Sequence, residues 1–146
     1  RLDLSYRHSN LPDESIVVSG RIEVRAGDVE AARAAMKADR QRRDETQPYR
    51  LASVGSTFAN PEGDYAGRLI DEVGLKGHRI GGARISDRHA NFFINDDEAS
   101  AEDFLRLMAL ARHRVREAFG VELRPEVRFV GFDGQRQMER YEQELC

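Results

Sequence analysis

The amino-acid sequence predicts an α+β fold. Stretches of β-branched residues with partial alternation, 15–24, 78–86, 89–95 and 126–131, lack helical spacing and read as strands. Between them lie runs without proline whose apolar residues recur every three to four positions, the signature of amphipathic helices. A chain of 146 residues is long enough for about one domain with a real core.

The elements follow in order. "SIVVSGRIEV", 15–24, reads as the first strand. "AGD" turns the chain, and Asp28 is suited to cap the helix expected over 29–45, a run rich in Ala, Arg, Glu and Met. Residues 49–63 read as irregular. Within them "VGSTFANP", 54–61, sets Ser56 beside Gly55 on a tight turn, and Asn60-Pro61 blocks any continuing helix or strand. "DYAGRLIDEV", 64–73, reads as a short helix with Asp64 as its cap and Gly74 as its stop. "HRIGGARIS" and "HANFFIN" read as two strands around a short turn. The strongest helix begins at Ser100, with Asp103 in its first turn. It aligns Phe104, Leu107, Met108, Ala111, Val115 and Ala118 on one face and ends at Gly120. "EVRFVG", 126–131, is the last strand, and "QRQMERYEQELC" forms a frayed terminal helix.

Composition narrows the function classes. The net charge of −3 argues against a nucleic-acid or anionic-membrane surface. The single cysteine, Cys146, permits no disulfide within the chain, so a reducing compartment fits. No apolar run approaches the ~18 residues of a membrane span, and no signal-peptide pattern opens the chain. Residue 1 is Arg, which suggests a piece of something longer. His8, His78, His89 and His113 are scattered without metal-ligand spacing, so surface or internally satisfied histidines are expected, and no metal site. "RQRR", 40–43, flanked by Asp39, Asp44 and Glu45, reads as a solvated helix face. The glycines of "GLKGHRIGG" do not form a dinucleotide fingerprint and read as turn or bulge glycines.

Taken singly, the candidate chemical groups are ordinary. Ser56 lacks the G-x-S-x-G context of an activated nucleophile. Glu126 follows Pro125 at a strand start, and Arg7 has Asp13 and Glu14 close by in sequence as partners. On physical grounds alone the sequence supports an α+β domain with a possible anion site.

The order of six motifs carries more. "SYRHS" (5–9), "RRDETQP" (42–48), "VGSTFANP" (54–61), "AGRLIDEVGLKGHRIGGARIS" (66–86), "RHANFFIN" (88–95) and "LRPEVRFVG" (123–131) succeed one another as they do in the C-terminal part of the UDP-N-acetylenolpyruvoylglucosamine reductase family, which the chain resembles to about residue 131. The resemblance implies a small mixed or antiparallel sheet with flanking helices and an N-terminal FAD region lying outside this chain. It divides the chain into 1–49, the end of the FAD-binding domain; 50–119, the substrate-binding domain; and 120–146, a returning strand and charged tail.

The resemblance also implies the chemistry. NADPH reduces FAD, hydride passes to C3 of the enolpyruvyl ether of a UDP-sugar, and a proton is added at C2. UDP-N-acetylmuramate, a peptidoglycan precursor, is the product, and the setting is cytoplasmic. The family's catalytic arginine, serine and glutamate fall on Arg7, Ser56 and Glu126. Asn60 and, more loosely, His89 match substrate contacts; Ile16, Arg43 and Arg128 match residues around the flavin. Those residue types suit the reaction. A guanidinium offers paired donors to a carboxylate, and a placed hydroxyl can protonate a carbanion-like carbon. Glu126 helps only if it holds or donates a proton. One departure is Ala59, where the family often has lysine, so that another Arg or Lys must hold the substrate's diphosphate or affinity falls. With no FAD site visible, the chain alone is not expected to turn over. The alternative is a non-catalytic sugar-nucleotide-binding or interaction module derived from the same domain.

Overall fold

A computed structural model describes residues 2–12 and 14–145. Cys146, and the proposed Arg7–Asp13 pair through its aspartate, lie outside the described residues. The chain divides into two compact units, residues 1–34 and 35–146.

In the first unit, β1 (Leu4–Ser5) and β2 (His8–Ser9) form an antiparallel hairpin around Tyr6 and Arg7. Arg7, the second residue of the two-residue loop, has φ 56°, in the left-handed region. The strand expected at 15–24 does not form. A strand is held by ladder hydrogen bonds, and among the described residues no neighbouring strand supplies them. Its apolar side chains are left outside: Ile16 is 87% exposed and Val18 90%. Helix α1 (Val29–Thr46), which begins in the first unit and continues in the second, forms where expected, its first turn capped by Asp28, whose carboxylate accepts from Glu30 N–H (2.9 Å) and Ala31 N–H (3.1 Å). None of its residues is buried, so this helix lacks an apolar partner, and the 40–43 run is solvated as predicted.

The second unit holds the core. A four-stranded antiparallel sheet runs in the order β3-β6-β5-β4, from β3 (Ser53–Ser56), β4 (Arg79–Ile80), β5 (Ala83–Ile85) and β6 (Phe92–Asn95). Two differences from expectation have local causes. Residues 78–86 are not one strand, because Gly81 (φ 53°) turns the chain between β4 and β5. The stretch read as irregular contains β3, whose register with β6 shifts between Ser53 and Ser56 at the positive-φ Gly55.

Helices close the core. Helix α2 (Ala66–Glu72) is shorter than predicted and is not capped by Asp64; Asn60 Oδ1 accepts from Ala66 N–H at 3.1 Å instead. Helix α3 (Ala101–Phe119) carries the predicted capping box between Ser100 and Asp103 and stops at Gly120 in the left-handed conformation. Its buried residues, including Leu107, Met108, Ala111 and Val115, meet Phe58, Ile85 and Phe93, and the Phe58 and Phe93 rings pack edge-on at 5.9 Å. Residues 126–131 form no strand. A single bridge, Phe58 to Pro125, replaces it. The terminal helix is not frayed: α4 (Gly134–Glu144) buries Met138, Tyr141 and Glu142, and Met138 and Tyr141 join the core that α3 lines. Among the described residues no helix is long and apolar enough to cross a membrane.

The two glycine-dependent and capping features give a graded stability test. A Cβ at Gly82 would lie 2.0 Å from Asp97 O, so Gly82→Ala is expected to cost about 3 kcal/mol. Ser100→Ala removes one cap and should cost about 1 kcal/mol. Urea unfolding midpoints measure both, and equal midpoints for the two variants would contradict the packing described here.

Candidate functional site

The serine turn is built by hydrogen bonds from two other segments. After Ser56, Thr57 N–H donates to Asn91 O (2.8 Å), and Ala59 N–H donates to Arg124 O (2.9 Å). Glu126 N–H donates to Thr57 O at 2.8 Å. The Asn91 side chain brackets the next peptide: Phe58 N–H donates to Oδ1 (2.9 Å) and Nδ2 donates to Phe58 O (2.8 Å). Segments 56–59, 89–92 and 124–126 therefore meet at one place, with Ser56 half-buried at its edge.

Ser56, Asn60 and His89 line one cleft of about 490 Å³, together with Arg68, Lys76 and Arg88. The loop that carries His89 is folded on Ser86, whose Oγ accepts from Arg88 N–H at 3.1 Å. Arg88 Nη1 in turn donates to Asp44 O (2.9 Å), tying this loop to the end of α1. His89 Nδ1 accepts from Asn91 N–H at 3.2 Å, so the neutral ring carries its proton on Nε2. The ring lies so close to α2 that a Cβ at Gly67 would meet its Cε1 at 2.9 Å, which explains the glycine there.

Two of the cleft's cations are anchored by carboxylates. Lys76 Nζ lies 2.6 Å from Asp71 Oδ2. Arg68 holds Asp64 through Nε at 2.7 Å, and that hydrogen bond, with one from the Tyr65 amide, draws the half-buried Asp64 carboxyl down to about 2. Burial lowers the pKa of His89, and the nearby Lys76 charge lowers it further.

The predicted residues divide by place. Ser56, Asn60 and His89 share the cleft, and the Glu126 backbone bonds to the residue after Ser56. Arg43 lies apart from that cleft with its guanidinium 5.1 Å from the Tyr49 ring centroid, and Arg128 is exposed. Arg7, 5.3 Å from the Tyr6 ring centroid, and Ile16 belong to the first unit. The sequence reading passed over Asn91, Lys76, Arg68 and Arg88. Lys76 and Arg68 sat inside a quoted motif, yet only the fold turns them toward Ser56. His113 is an internally paired histidine, its Nε2 lying 3.2 Å from Glu117 Oε2. Among the described residues no three metal-ligating side chains gather.

Comparison with known proteins is consistent along the chain. Residues 47–130 match the family described as UDP-N-acetylenolpyruvoylglucosamine reductase, C-terminal domain. The chain is 52% identical over 130 residues to UDP-N-acetylenolpyruvoylglucosamine reductase of Anaeromyxobacter dehalogenans (strain 2CP-C), covering 89% of this chain and 40% of that protein. It is 51% identical over 130 residues to the enzyme of the same name from Acidiphilium cryptum, covering 89% of this chain and 42% of that protein. The crystal structure of UDP-N-acetylenolpyruvylglucosamine reductase from Thermus caldophilus superposes with a TM-score of 0.68 at 41% identity, over 86% of this chain and 45% of that one. The chain thus spans about two-fifths of the length of the relatives it matches.

The electrostatics of His89 give a direct test. Lys76→Met should raise the His89 pKa without restoring 6.5, because burial, the larger cause, remains. A folded value below the unfolded one means that the fold binds fewer protons here, so stability is lost as pH falls below about 6.5. NMR titration of the imidazole protons checks this, and an unmoved His89 curve in the variant would show that Lys76 does not act on the ring.

Proposed function

The chain belongs to the UDP-N-acetylenolpyruvoylglucosamine reductase family, and from that premise we propose that it is the substrate-side part of a flavin-dependent reductase, reducing the enolpyruvyl ether of a UDP-sugar to UDP-N-acetylmuramate. The observation that carries this reading is the cleft shared by Ser56, Asn60 and His89 with Lys76, Arg68 and Arg88. A hydroxyl at the edge of a cationic cleft suits a substrate with a diphosphate at one end and a carbon awaiting a proton at the other. The three cations also supply charge that Ala59 does not.

In this reading Ser56 delivers a proton to C2, and its placement at the end of β3 matters more than its acidity. The Arg7 guanidinium, always charged, gives paired donors to the substrate carboxylate on which negative charge collects. Glu126, whose N–H bonds to Thr57 O beside Ser56, is the carboxyl of the same site. Asn60 holds the first turn of α2 through Ala66 N–H and faces the substrate from the same cleft, and His89 donates from Nε2. When bound, FAD would pass hydride from NADPH to C3 of the enolpyruvyl ether. Arg43 and Arg128 are guanidiniums of the kind suited to the electron-rich pyrimidine edge of its ring system, and Ile16 is an apolar side chain left 87% exposed. The division into 1–49, 50–119 and 120–146, an N-terminal FAD region as partner, dependence of turnover on that region, and a cytoplasmic setting in peptidoglycan synthesis belong to the same proposal. The exposed Val17, Val18, Ile22 and Val24 support it, since they would need cover from another part of the protein.

The test is Ser56→Ala in the protein at its full natural length. Flavin reduction by NADPH should stay near normal while reduction of the enolpyruvyl substrate falls by about 10²–10⁴-fold. Stopped-flow absorbance separates the two half-reactions, and equal rates in both would remove Ser56 from the chemistry.

A further inference from the structure

The hydrogen bonds around the serine turn single out a residue that no motif assigned. We propose that Asn91 is a positioning residue for the proton-delivering serine: its buried amide clamps the Phe58 peptide on both sides and holds Ser56 to the wall that carries His89. The inference rests on the reading of Ser56 given above.

Asn91 is 3% exposed and spends its side chain on the backbone of a segment 33 residues away. Oδ1 accepts the Phe58 amide proton at 2.9 Å while Nδ2 donates to Phe58 O at 2.8 Å. That pair fixes the peptide in both directions, as a neighbouring strand would. It does so two residues past Ser56, just beyond the irregular stretch of the β3–β6 ladder. The Asn91 backbone completes the arrangement: its carbonyl accepts from Thr57 N–H (2.8 Å) and its own N–H donates to His89 Nδ1 (3.2 Å). One residue thus bonds to both residues that follow Ser56 and sets the ring orientation of His89 across the cleft. Gly55 takes φ 77°, where the β3–β6 register shifts, and the bonds to Thr57 and Phe58 hold the chain again just beyond Ser56.

The two side-chain bonds need a group that accepts and donates within one plane. Leucine of similar volume fills the site but leaves the buried Phe58 N–H and C=O unpaired. Aspartate keeps the acceptor and loses the donor while ionised, and regains a donor when protonated.

The experiment uses the full-length protein with FAD bound, and compares Asn91→Leu and Asn91→Asp with wild type. Flavin reduction by NADPH should be unchanged in both variants. Reduction of the enolpyruvyl substrate should slow by about 10²-fold in Asn91→Leu, through kcat rather than KM, as expected for a misplaced reacting group. The Asn91→Asp variant should recover rate as pH is lowered while wild type does not. Hydrogen exchange at the Phe58 amide, read by NMR or mass spectrometry, should speed up in Asn91→Leu in the absence of any substrate. Thermal melts establish that each variant is folded; if Asn91→Leu does not fold, the pH profile of Asn91→Asp decides. Wild-type rates in a folded Asn91→Leu protein, or equal losses in both half-reactions, overturn the inference alone. Failure of the wild-type protein to reduce the enolpyruvyl ether overturns the proposed function, and this inference with it.

Discussion

Three stretches of chain distant in sequence meet on residues 57–59, and the rest of the second unit is arranged around that meeting. Thr57 and Phe58 take their partners from Asn91, Ala59 takes its partner from Arg124, and Thr57 O receives Glu126 N–H. A backbone with so many of its polar groups satisfied can be buried without penalty. The Phe58 side chain, 1% exposed, then enters the core and packs on Phe93, and through it the sheet meets α3. Ser56 sits at the margin of this knot, half-buried, where the chain leaves β3. The same bonds that close the core therefore hold a hydroxyl at the surface of a cleft.

Charge is arranged on a comparable pattern. Two of the cleft cations are held by an acid from α2 or the segment before it, Lys76 by Asp71 and Arg68 by Asp64, and Arg88 donates to the Asp44 carbonyl. On the sheet, Arg84 is bound by both Asp96 and Asp87, and the hydrogen bond it donates to Asp96 is the largest cause of its raised pKa. Paired in this way, guanidinium and ammonium groups lose less freedom when an anion arrives, which is the usual basis of preorganised anion binding. Away from the cleft, α4 is attached through Glu142, buried among Arg112 and Arg116, and burial raises its pKa despite those two cations. A buried ion pair of that kind stabilises little by itself, but breaking it by removing one partner leaves an uncompensated charge, so it specifies how α4 lies on α3.

The helices were legible from the sequence because their signals are local. Ser100, Asp103 and Gly120 bound α3 through their own hydrogen bonds and backbone angles, and Asp28 caps α1 with its own carboxylate. The strands were legible only in part. Residues 15–24 have strand composition and no strand, because β structure needs a second chain segment to pair with. The same reason accounts for 126–131, where pairing goes no further than the Phe58–Pro125 bridge and the Glu126 N–H bond to Thr57 O. The terminal helix looked frayed because its apolar positions are few, yet Met138 and Tyr141 suffice once α3 offers them a surface.

By itself, the sequence determined the fold class, the ends of the long helices and the identity of the residues to watch. Ordered motifs pointed to Ser56, Asn60, His89 and Glu126 without any knowledge of where they lie. Tertiary structure alone decided that Ser56, Asn60 and His89 open onto one cleft, that Lys76, Arg68 and Arg88 supply its charge, and that Asn91 holds the peptide beside the serine. The physical reason is range. Caps, turns and helical periodicity act over a few residues and are written in the local sequence, whereas a cleft is a relation among segments distant in sequence, such as Phe58 and Asn91, which exists only once the backbone has paired.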